Sequence, residues 1–568
     1  MTVWTRRGFL ASSVPMATGL SAAAEGDCDV LVSGGSFGGV AAALAAADSG
    51  RSVILTEETG WIGGQATTQG VPLDEHPWIE DRGRTRTYAQ FRSRVREYYR
   101  SNYRPTPAAR NDPHFNPGAG WVSACGFEPR VGIAVLDAML ARHLSSGRIR
   151  ILRHHRPVEV GRSGDYCRSV TFEDLRNGRR RTLSAKYILD ATELGDLLPL
   201  GGIEFVSGAE SQQQTGEPAA VEGPPDPLRQ QPFTHLIAVD YRPGEDHRIA
   251  RPASYEKWRG GFKNMVGIAE TKGDEIQLRM RRLFAPESPR YASSIWNFRR
   301  VLCASNFEGV PSDVTMIMNG NEYRGGSIVG VSADQARARL QEARELTLST
   351  LYFFQHEIEP GYQGKPGYPG IRPRGDVFGT EDGLAQYPYI RESRRIQAVF
   401  TVVEQHFRID QNPKGPRLYK DSVGTGGYRI DIHERAPRGG SSQTIHLHGK
   451  HWTQQIPLGA LIPQRVENVL PACKNLGVTH VTNGAFRLHP VEWNIGEAAG
   501  ALAAFCLDRN CLPRQVRDNA KLLEDFQSLL VRRGVALGWD KPEIAKSYNS
   551  HYAEVPGWYF GEAKKKQA

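Results

Sequence analysis

The chain has 568 residues, of which 39% are hydrophobic and 23% charged, values typical of a soluble globular protein large enough for more than one structural unit. Its net charge of +9 comes with no groove-reading motif, so no nucleic-acid partner is expected. The seven cysteines form no CxxC pair, which argues against a zinc ribbon or a cysteine-ligated iron–sulfur cluster, and no metal site is predicted.

The N-terminus has the pattern of an export signal. Arg6 and Arg7 precede a weakly apolar stretch at residues 11–20 and then the small residues 22–24. This pattern resembles a twin-arginine signal peptide. We therefore expect residues 1–24 to be removed, the twin-arginine machinery to be a transport partner, and the mature chain to be periplasmic or secreted. A disordered basic N-terminus is the alternative. No apolar stretch reaches the roughly 20 residues of a membrane span, so no span is expected.

The next segment predicts a nucleotide-binding strand, turn and helix. A short apolar strand at residues 28–33 leads into the glycine-rich loop 34–39 and then a helix-forming run at residues 40–47. Such loops allow a tight turn, a close approach to a pyrophosphate and close helix packing, and the helix amides favour phosphate. The middle glycine of the pattern is here Ser36, which is still small. An ordinary turn is the alternative. The predicted contacts are Gly34, Gly35, Ser36, Phe37, Gly38 and Gly39.

A second strand supplies the acid expected beside a ribose. The apolar run at residues 52–56 ends at Glu57, 18 residues beyond Gly39 (57 − 39). At this spacing a carboxylate binds the ribose diol in dinucleotide-binding domains. The order of strand, loop, helix, strand and acid makes the nucleotide interpretation stronger than the loop alone.

Two segments favour FAD over NAD. The Gly-Gly-Gln at residues 63–65 follows the ribose acid where an NAD-binding unit would continue into its next helix, and paired glycines suit a backbone lying against a flavin ring. Much later, a buried strand at residues 185–190 ends in Ala-Thr, a second nucleotide-proximal signature of flavoproteins. The predicted contacts in these segments are Gly63, Gly64, Gln65, Ala191 and Thr192.

Two weaker cofactor contacts are also predicted. The strand at residues 156–160 could place the backbone of Val158 against an adenine, although an ordinary strand is the alternative. Near the C-terminus, a helix of small residues opens after residue 487, and its N-terminal amides could hold a flavin carbonyl. The predicted contacts in this helix are Asn494, Ile495 and Gly496; close helix packing is the alternative for its small face.

Eight segments, in order along nearly the whole chain, carry a family resemblance. They are residues 34–39, 63–64, 127–130, 190–196, 388–396, 427–433, 456–463 and 494–500. The chain resembles the FAD-dependent oxidoreductase family with a glutathione-reductase-like flavin domain, which includes proteins labelled xanthan-lyase-related and relatives of the heterodisulfide reductase flavin subunit. The resemblance implies an FAD cofactor and an oxidoreductase acting on a small-molecule substrate.

The sequence departs from the family pattern in two places. The usual Gly-Arg near the flavin is replaced by Ala-Cys-Lys-Asn at residues 472–475, so flavin contacts are not carried over to these residues. The cluster-binding cysteines of the heterodisulfide reductase relatives are absent from the sequence. Electron transfer through iron–sulfur centres is therefore not expected.

The resulting fold class is α/β. We expect a two-dinucleotide-binding-type, Rossmann-like FAD domain with a parallel sheet, built discontinuously from residues 26–75, 120–205 and 455–510. Residues 206–454 are expected to form an interleaved, mostly antiparallel cap that binds substrate. Residues 511–568 are expected to contain an amphipathic helix with a leucine-rich stripe, followed by a tail.

The cap contains two groups of candidate catalytic residues. Arg391 and Arg394 lie in a dense run of charges and could face the flavin or an anionic substrate group, with Glu392 holding the guanidinium; a surface ion-pair network is the alternative. Asp431 and His433 are two apart in a predicted strand and share one face, so the acid could orient the imidazole as a general base. A structural histidine is equally expected.

Three crowded histidines, His446, His448 and His451, could in principle bind a metal, but no nearby acid or cysteine completes a site. The sequence favours an enzyme in which a small organic substrate gives a hydride to FAD, with oxygen or an unknown electron acceptor reoxidising it. A flavin-bearing binding or electron-relay protein is the alternative, and a secreted polysaccharide lyase, suggested only by a family label, is a third.

Overall fold

The computed structural model describes residues 27–265, 267–272, 275–280, 283–284, 294–318, 320–359, 361–433, 444–446 and 450–546. The predicted export signal at residues 1–24, His448 and the end of the predicted C-terminal tail lie outside these residues. Among the described helices, none is both long and apolar enough to cross a membrane.

The strands are mostly short and buried. In chain order they are β1 (Cys28–Ser33), β2 (Val53–Glu57), β3 (Ile149–Arg153), β4 (His155–Ser163), β5 (Tyr166–Asp174), β6 (Arg180–Asp190), β7 (Phe205–Val206), β8 (Phe233–Thr234), β9 (Ile237–Tyr241), β10 (Gly267–Lys272), β11 (Glu275–Met280), β12 (Arg300–Leu302), β13 (Val314–Ile317), β14 (Glu322–Tyr323), β15 (Ile371–Pro373), β16 (Arg395–Ile396), β17 (Ser422–Gly426), β18 (Asp431–His433), β19 (Thr444–His446), β20 (Gln454–Pro457) and β21 (Val469–Pro471).

The α-helices range from single turns to 24 residues. In chain order they are α1 (Phe37–Asp48), α2 (Arg86–Asn102), α3 (Pro107–Asn111), α4 (Pro129–Ser145), α5 (Leu197–Leu200), α6 (Gln212–Thr215), α7 (Tyr255–Met265), α8 (Ile295–Phe298), α9 (Ala333–His356), α10 (Gly375–Phe378), α11 (His480–Phe486), α12 (His489–Arg509), α13 (Pro513–Asp518) and α14 (Ala520–Arg533).

A parallel sheet forms the centre of the nucleotide-binding half. Its strand order is β3-β2-β1-β6-β21, with every neighbouring pair parallel. The first two strands are almost wholly buried, as their continuous apolar runs require in a sheet covered on both faces. Because the carboxyl ends of β1, β2, β6 and β21 meet at one edge, the loops that follow them converge there. The predicted Rossmann-like α/β fold is confirmed.

An antiparallel arm extends from the same sheet. Strand β6 is long enough to pair with β1 through its second half and with β5 through its first half, and β5 then pairs with β4. The predicted strand around Val158 is thus part of this arm. The register skips from Pro157 to Glu159, so Val158 is the extra residue of a β-bulge.

Helices α1 and α12 pack against each other through small residues. A Cβ atom at Gly496 would lie 1.9 Å from the carbonyl oxygen of Gly38, and one at Gly500 would lie 2.2 Å from that of Ala42. Any side chain at these two positions would force the helices apart. The small face of α12 is therefore explained by close helix packing.

The middle of the chain contains the expected antiparallel sheet. Strands β12-β13-β9-β15 form four antiparallel neighbours. The 24-residue helix α9 packs with this region and begins at a capping box in which Ser332 and Gln335 exchange hydrogen bonds. A helix of this length was not part of the sequence expectation for the cap.

The predicted leucine stripe near the C-terminus lies on α14. Phe526 and Leu530 are fully buried, whereas Leu522, Leu523 and Leu529 are partly buried against the main core. Asn519 caps the first turn and Gly534 ends the helix in a left-handed conformation.

Candidate functional site

The loop after β1 has the geometry of a nucleotide-binding turn. Gly34 has a φ of 102°, and a Cβ atom there would lie 2.3 Å from the carbonyl oxygen of Ala191. A Cβ atom at Gly39 would lie 2.1 Å from the carbonyl oxygen of Gly34. Only glycine fits both positions. Ser36, at the position where the pattern has a glycine, accepts a hydrogen bond from the Gly39 amide at 3.1 Å and so caps α1.

The amides of this loop are partly used by the chain itself. The Gly38 amide donates to Glu492 Oε1 at 3.0 Å, and the Val40 amide donates to the Ser36 carbonyl oxygen at 3.0 Å. We expected the amides of residues 37–40 to face phosphate, and this expectation needs correction for residues 38–40, whose amides have acceptors within the protein. The carboxylate of Glu492 also shows that the loop accommodates an anion, as a helix N-terminus should.

Glu57 lies where the ribose acid is predicted. Its Oε2 accepts a hydrogen bond from the Gly35 amide at 2.9 Å, and its Oε1 accepts from the amide and hydroxyl of Thr59 at 2.8 and 2.7 Å. Burial raises the pKa of Glu57 to about 7, partly offset by these hydrogen bonds. A buried carboxylate held beside the loop is the arrangement that a ribose diol requires.

A cavity connects these elements. It runs from the loop past Glu57 to the base of the antiparallel arm. Its lining residues are Gly34, Ser36, Glu57, Glu58, Thr59, Gly64, Thr68, His155, Pro157, Ala191, Thr192, Glu193, Asp196 and Tyr387. The structure therefore brings together residues predicted from three separate segments. Val158 follows Pro157 at the bulge, where the backbone of the extra residue is not taken up by the strand pairing.

The paired glycines sit directly above the loop. The Gly63 amide donates to the Gly35 carbonyl oxygen at 2.7 Å, and Gly64 has a φ of 46°. A Cβ atom at Gly64 would lie 2.9 Å from the Ser36 Cα. Gln65 is fully buried, donates to the Arg487 carbonyl oxygen at 3.2 Å, and has an Oε1 atom without a hydrogen-bond partner. The close backbone approach at Gly63 and Gly64 leaves room for a cofactor against the loop. The Gln65 Oε1 atom, which has no hydrogen-bond partner among the described residues, could bond to that cofactor.

A buried lysine occupies the segment that departs from the family pattern. Lys474 is fully buried, and its Nζ atom forms an ion pair with Glu193. The same atom lies 3.6 Å from Glu492 Oε2 and 3.5 Å from Cys473 Sγ. Glu193, Cys473 and Glu492 have the spacing of a metal-binding group, but the ammonium group already supplies the cation among them. His451, one of the three crowded histidines, contacts Glu404 at 3.3 Å.

The predicted cofactor contacts in α12 need correction. The helix begins at His489, with Leu488 as its cap, so Asn494, Ile495 and Gly496 lie in its second turn. Amides there are bonded within the helix and do not point outwards. The Asn494 side chain instead joins α12 to β17, accepting from the Thr425 amide at 3.3 Å and donating to the Val423 carbonyl oxygen at 3.2 Å.

Six side chains from four chain segments form a closed polar ring, here called the charged ring. In order around it they are Arg391, Glu322, His433, Asp431, Arg487 and Tyr389. Arg391 Nη2 donates to Glu322 Oε1 at 3.0 Å, and His433 Nδ1 lies 2.5 Å from the same oxygen. Arg487 Nη2 lies 3.4 Å from Asp431 Oδ2, Arg487 Nη1 donates to the Tyr389 hydroxyl at 2.6 Å, and the Arg391 guanidinium lies 5.0 Å from the Tyr389 ring centroid.

Within this ring the acid beside the imidazole differs from the predicted one. His433 Nε2 is 3.5 Å from Asp431 Oδ2, too far for a strong hydrogen bond, whereas Nδ1 is within hydrogen-bond distance of Glu322. Burial opposes ionisation of Glu322, but its contacts with His433 and Arg391 outweigh this effect and hold its pKa well below its usual range. Glu322 is therefore the carboxylate that orients His433, and Asp431 orients Arg487.

Arg391 and Arg394, predicted together, lie apart in the structure. Arg391 is 1% exposed and belongs to the charged ring, but Arg394 Nη1 donates to the Leu194 carbonyl oxygen at 2.8 Å and to Asp196 at 3.2 Å on the nucleotide side. Among the described residues, the Glu392 carboxylate pairs with neither of these guanidinium groups. It forms a buried ion pair with Arg395 and accepts from His480 Nδ1 at 2.8 Å, so its role in holding Arg391 or Arg394 is a wrong prediction.

Three members of the site were missed by sequence reasoning. Glu322 lies in a short strand, β14, whose neighbouring residues carry no motif. Tyr389 appeared only within the family segment at residues 388–396, and residue 487 appeared only as the position after which the small-residue helix opens. Pro490, in the first turn of α12, is a helix-start signal. It marks where α12 begins, and Arg487 lies just before that start.

The charged ring and the nucleotide cavity are joined by the segment after Gly64. Gln65 contacts the Arg487 carbonyl oxygen, and Gln69 Oε1 accepts from the Ile390 amide at 3.3 Å. The Tyr387 amide donates to the Thr68 carbonyl oxygen at 3.1 Å. One side of this segment therefore borders the cavity and the other side borders the ring.

Three solved structures share a distant likeness with the chain. The myxobacterial chondrochloren halogenase CndH, described as FAD-dependent, is 12% identical over 89% of this chain and 79% of its own, with a TM-score of 0.32. OxyS anhydrotetracycline hydroxylase from Streptomyces rimosus is 10% identical over 89% and 68%, with a TM-score of 0.32. AlpK is 12% identical over 66% of this chain, with a TM-score of 0.28, and the chain spans about half (55%) of AlpK. No curated protein matches the chain.

The sequence model described as FAD dependent oxidoreductase matches residues 29–530. This match covers most of the chain, including the loop, the acid, the charged ring and α12. The narrower relations to proteins labelled xanthan lyase and heterodisulfide reductase stay predictions. The chain belongs to the FAD dependent oxidoreductase family, and it is an oxidoreductase with FAD as its cofactor.

Proposed function

We propose that the enzyme removes a hydride from a small organic substrate bound at the charged ring, and that oxygen or another electron acceptor then reoxidises the cofactor. The observation that carries this proposal is the position of the segment at residues 64–69, which borders the nucleotide cavity on one side and the charged ring on the other. A cofactor held in the cavity and a substrate held at the ring would then meet across one stretch of backbone.

The chain's own residues divide into two groups in this proposal. Gly34, Ser36, Gly64 and the Ala191 backbone would hold the pyrophosphate end, and Glu57 would hold the ribose. The bulged backbone at Val158 would receive the adenine. When bound, FAD supplies a two-electron acceptor that the protein lacks. The protein's part is to position the substrate carbon and to exclude water.

His433 is the proposed base. If its Nδ1–H donates to Glu322, the lone pair of Nε2 is left to accept a proton. For an alcohol substrate, His433 Nε2 would accept the hydroxyl proton while bound FAD would supply the acceptor for the hydride from the same carbon, so that a carbonyl product remains. Glu322 acts through His433 and is a positioning residue.

The test is anaerobic reduction of the holoenzyme. Sugars, polyols, hydroxy acids and amines are mixed with the pure protein, and loss of the oxidised flavin absorbance is followed. We expect at least one of these classes to bleach the flavin and to yield the matching carbonyl product. A flavin that no organic compound bleaches, but that accepts electrons from a chemical reductant, would contradict the proposal and favour an electron-relay protein.

We also propose that residues 1–24 direct export by the twin-arginine route. The support is the Arg-Arg pair followed by a short apolar stretch and small residues. The pathway carries folded proteins, which suits a protein whose cofactor is enclosed by three separate segments of the chain.

A further inference from the structure

The two arginines of the charged ring have buried hydrogen-bond donors that the ring itself does not satisfy. Arg391 is 1% exposed and Arg487 is 2% exposed. Each retains a buried Nε atom for which the described residues provide no hydrogen-bond acceptor. A buried guanidinium donor without an acceptor is costly, so such atoms are normally satisfied by a ligand or water.

A third arginine adds to this excess. Arg299 is half-buried, and within the part of the chain that the structure describes its buried Nε and Nη1 atoms have no hydrogen-bond acceptor. Its charge acts on Asp74 and on Arg391, so its guanidinium lies near the charged ring. It comes from a different chain segment than any ring member.

The charges near the ring do not balance among the described residues. Four guanidinium groups, those of Arg299, Arg391, Arg429 and Arg487, lie near three acids, Glu322, Asp431 and Asp74. Burying unmatched positive charge is unfavourable, and an anion would complete the site.

Resting on the proposed function, we infer that the substrate is an organic carboxylate, held through its carboxylate group by Arg299, Arg391 and Arg487. Planar guanidinium groups with free Nε donors match the geometry of a carboxylate. His433, which lies between Arg391 and Arg487 in the ring, would then face the carbon adjacent to the carboxylate. A 2-hydroxy or 2-amino acid presents its reacting group at that carbon.

The test compares a carboxylate with its neutral isostere. Benzoate and benzamide are titrated into the oxidised holoenzyme, and the visible flavin spectrum and the melting temperature are recorded. We expect benzoate to perturb the spectrum and raise the melting temperature at millimolar concentration, with benzamide at least about 10-fold weaker, as the loss of a charge-assisted hydrogen bond predicts. Equal effects of the two compounds, or no effect of benzoate, would overturn the inference.

A variant separates binding from structural support. Arg299→Gln removes an unpaired charge, so we expect an unchanged or higher melting temperature of the free holoenzyme together with at least about 10-fold weaker benzoate binding. A lower melting temperature with unchanged benzoate binding would make Arg299 a structural residue and contradict the inference. Arg337→Gln, on the exposed side of α9 where Arg337 pairs with Asp334, is the matched control and should change neither quantity.

The two proposals can fail separately. If neutral alcohols bleach the flavin and benzoate does not compete with them, the oxidoreductase proposal stands and the carboxylate inference is wrong. If benzoate binds tightly and selectively but no organic acid, alcohol or amine bleaches the flavin, the anion site stands and the proposed reaction is wrong.

Discussion

Single residues decide how this loop differs from the usual glycine pattern. Ser36 replaces a glycine, and its hydroxyl caps α1 through the Gly39 amide, so the substitution gains a hydrogen bond without blocking the turn. Glu492 then places a carboxylate on the Gly38 amide, and Lys474 lies close to that carboxylate. The loop is thus linked to α12 and to the segment after β21 by contacts that its own sequence does not reveal.

Gly39→Val tests the loop at the residue scale. The new side chain would collide with the Gly34 carbonyl oxygen and with Ala191 Cβ, which lie 2.1 and 2.9 Å from the Cβ position. We expect loss of bound flavin and a stability loss of at least about 1–3 kcal/mol, the usual cost of overpacking. Gly223→Val, at a site where a Cβ atom meets nothing within 4 Å, is the control. Flavin at wild-type stoichiometry in the loop variant would refute the assignment.

His433→Asn tests the proposed base. FAD should stay bound, because its predicted contacts come from other segments, while anaerobic flavin reduction by an identified substrate should slow by roughly 10²- to 10⁴-fold. The pH dependence of reduction should also flatten. His247→Asn, which removes a histidine paired with Glu245 at the surface, should behave like wild type. Reduction of the His433 variant at the wild-type rate would leave this histidine a structural role only.

At the scale of elements, buried ion pairs fix α2 to the nucleotide-binding half. Glu80 forms ion pairs with Arg92 and Arg96 of α2, with N–O distances of 2.6 and 2.5 Å. Burial alone would raise the pKa of Glu80, but the two guanidinium groups hold it well below its usual range. Because the folded pKa lies below the unfolded one, this carboxylate stabilises the fold above its unfolded pKa, and the stabilisation is lost as pH falls towards the folded pKa.

Glu80→Gln should therefore destabilise the protein in a pH-dependent way. Near pH 7 we expect a loss of about 3 kcal/mol, because the buried Arg96 loses its charged partner and Arg92 keeps only Glu75. The difference from wild type should shrink as pH falls below the usual carboxyl range. Denaturant unfolding at a series of pH values measures this difference in the free energy of unfolding. The exposed Glu97→Gln, in the same helix, is the control. A difference that stays constant across that range would show that the ion pairs do not stabilise α2.

Elements with local signals were predicted well from the sequence, and contacts between distant segments were not. The strand, loop and acid at β1, α1 and Glu57 follow from turn chemistry and spacing within one short segment. The helix predicted to open after residue 487 begins at His489, but its N-terminal contacts were assigned to residues 494–496, in its second turn. Glu322 and Arg487 are far apart in sequence and meet only through the packing of β14, β18 and α12, for which no local pattern exists.

At the scale of the whole molecule, the chain encloses its cofactor site with segments from both ends. The loop after β1, the turn after β6 and the start of α12 meet at one edge of the parallel sheet. Folding must therefore bring residues near 35 and near 490 together before the site exists. Export of an already folded chain would preserve that site, which agrees with the signal proposed for residues 1–24.

Replacement of Arg6 and Arg7 by lysine tests the export proposal. The paired guanidinium groups are the part of the signal that the pathway reads, so the double variant should accumulate inside the cell as full-length precursor, while the wild type appears outside the cytoplasm with a mature N-terminus near Glu25. Cell fractionation and N-terminal sequencing measure both. Export of the double variant at the wild-type level would remove the hypothesis.

The central claim is that this chain is an FAD enzyme whose cofactor lies between the loop after β1 and the charged ring. The most direct measurement is the visible spectrum of the pure protein before and after acid precipitation. We predict oxidised flavin bands in the native protein, with one FAD per chain. After precipitation, all the flavin should be in the supernatant if it is not covalently attached, or in the pellet if it is. A colourless protein that takes up no FAD when the cofactor is added would contradict the account.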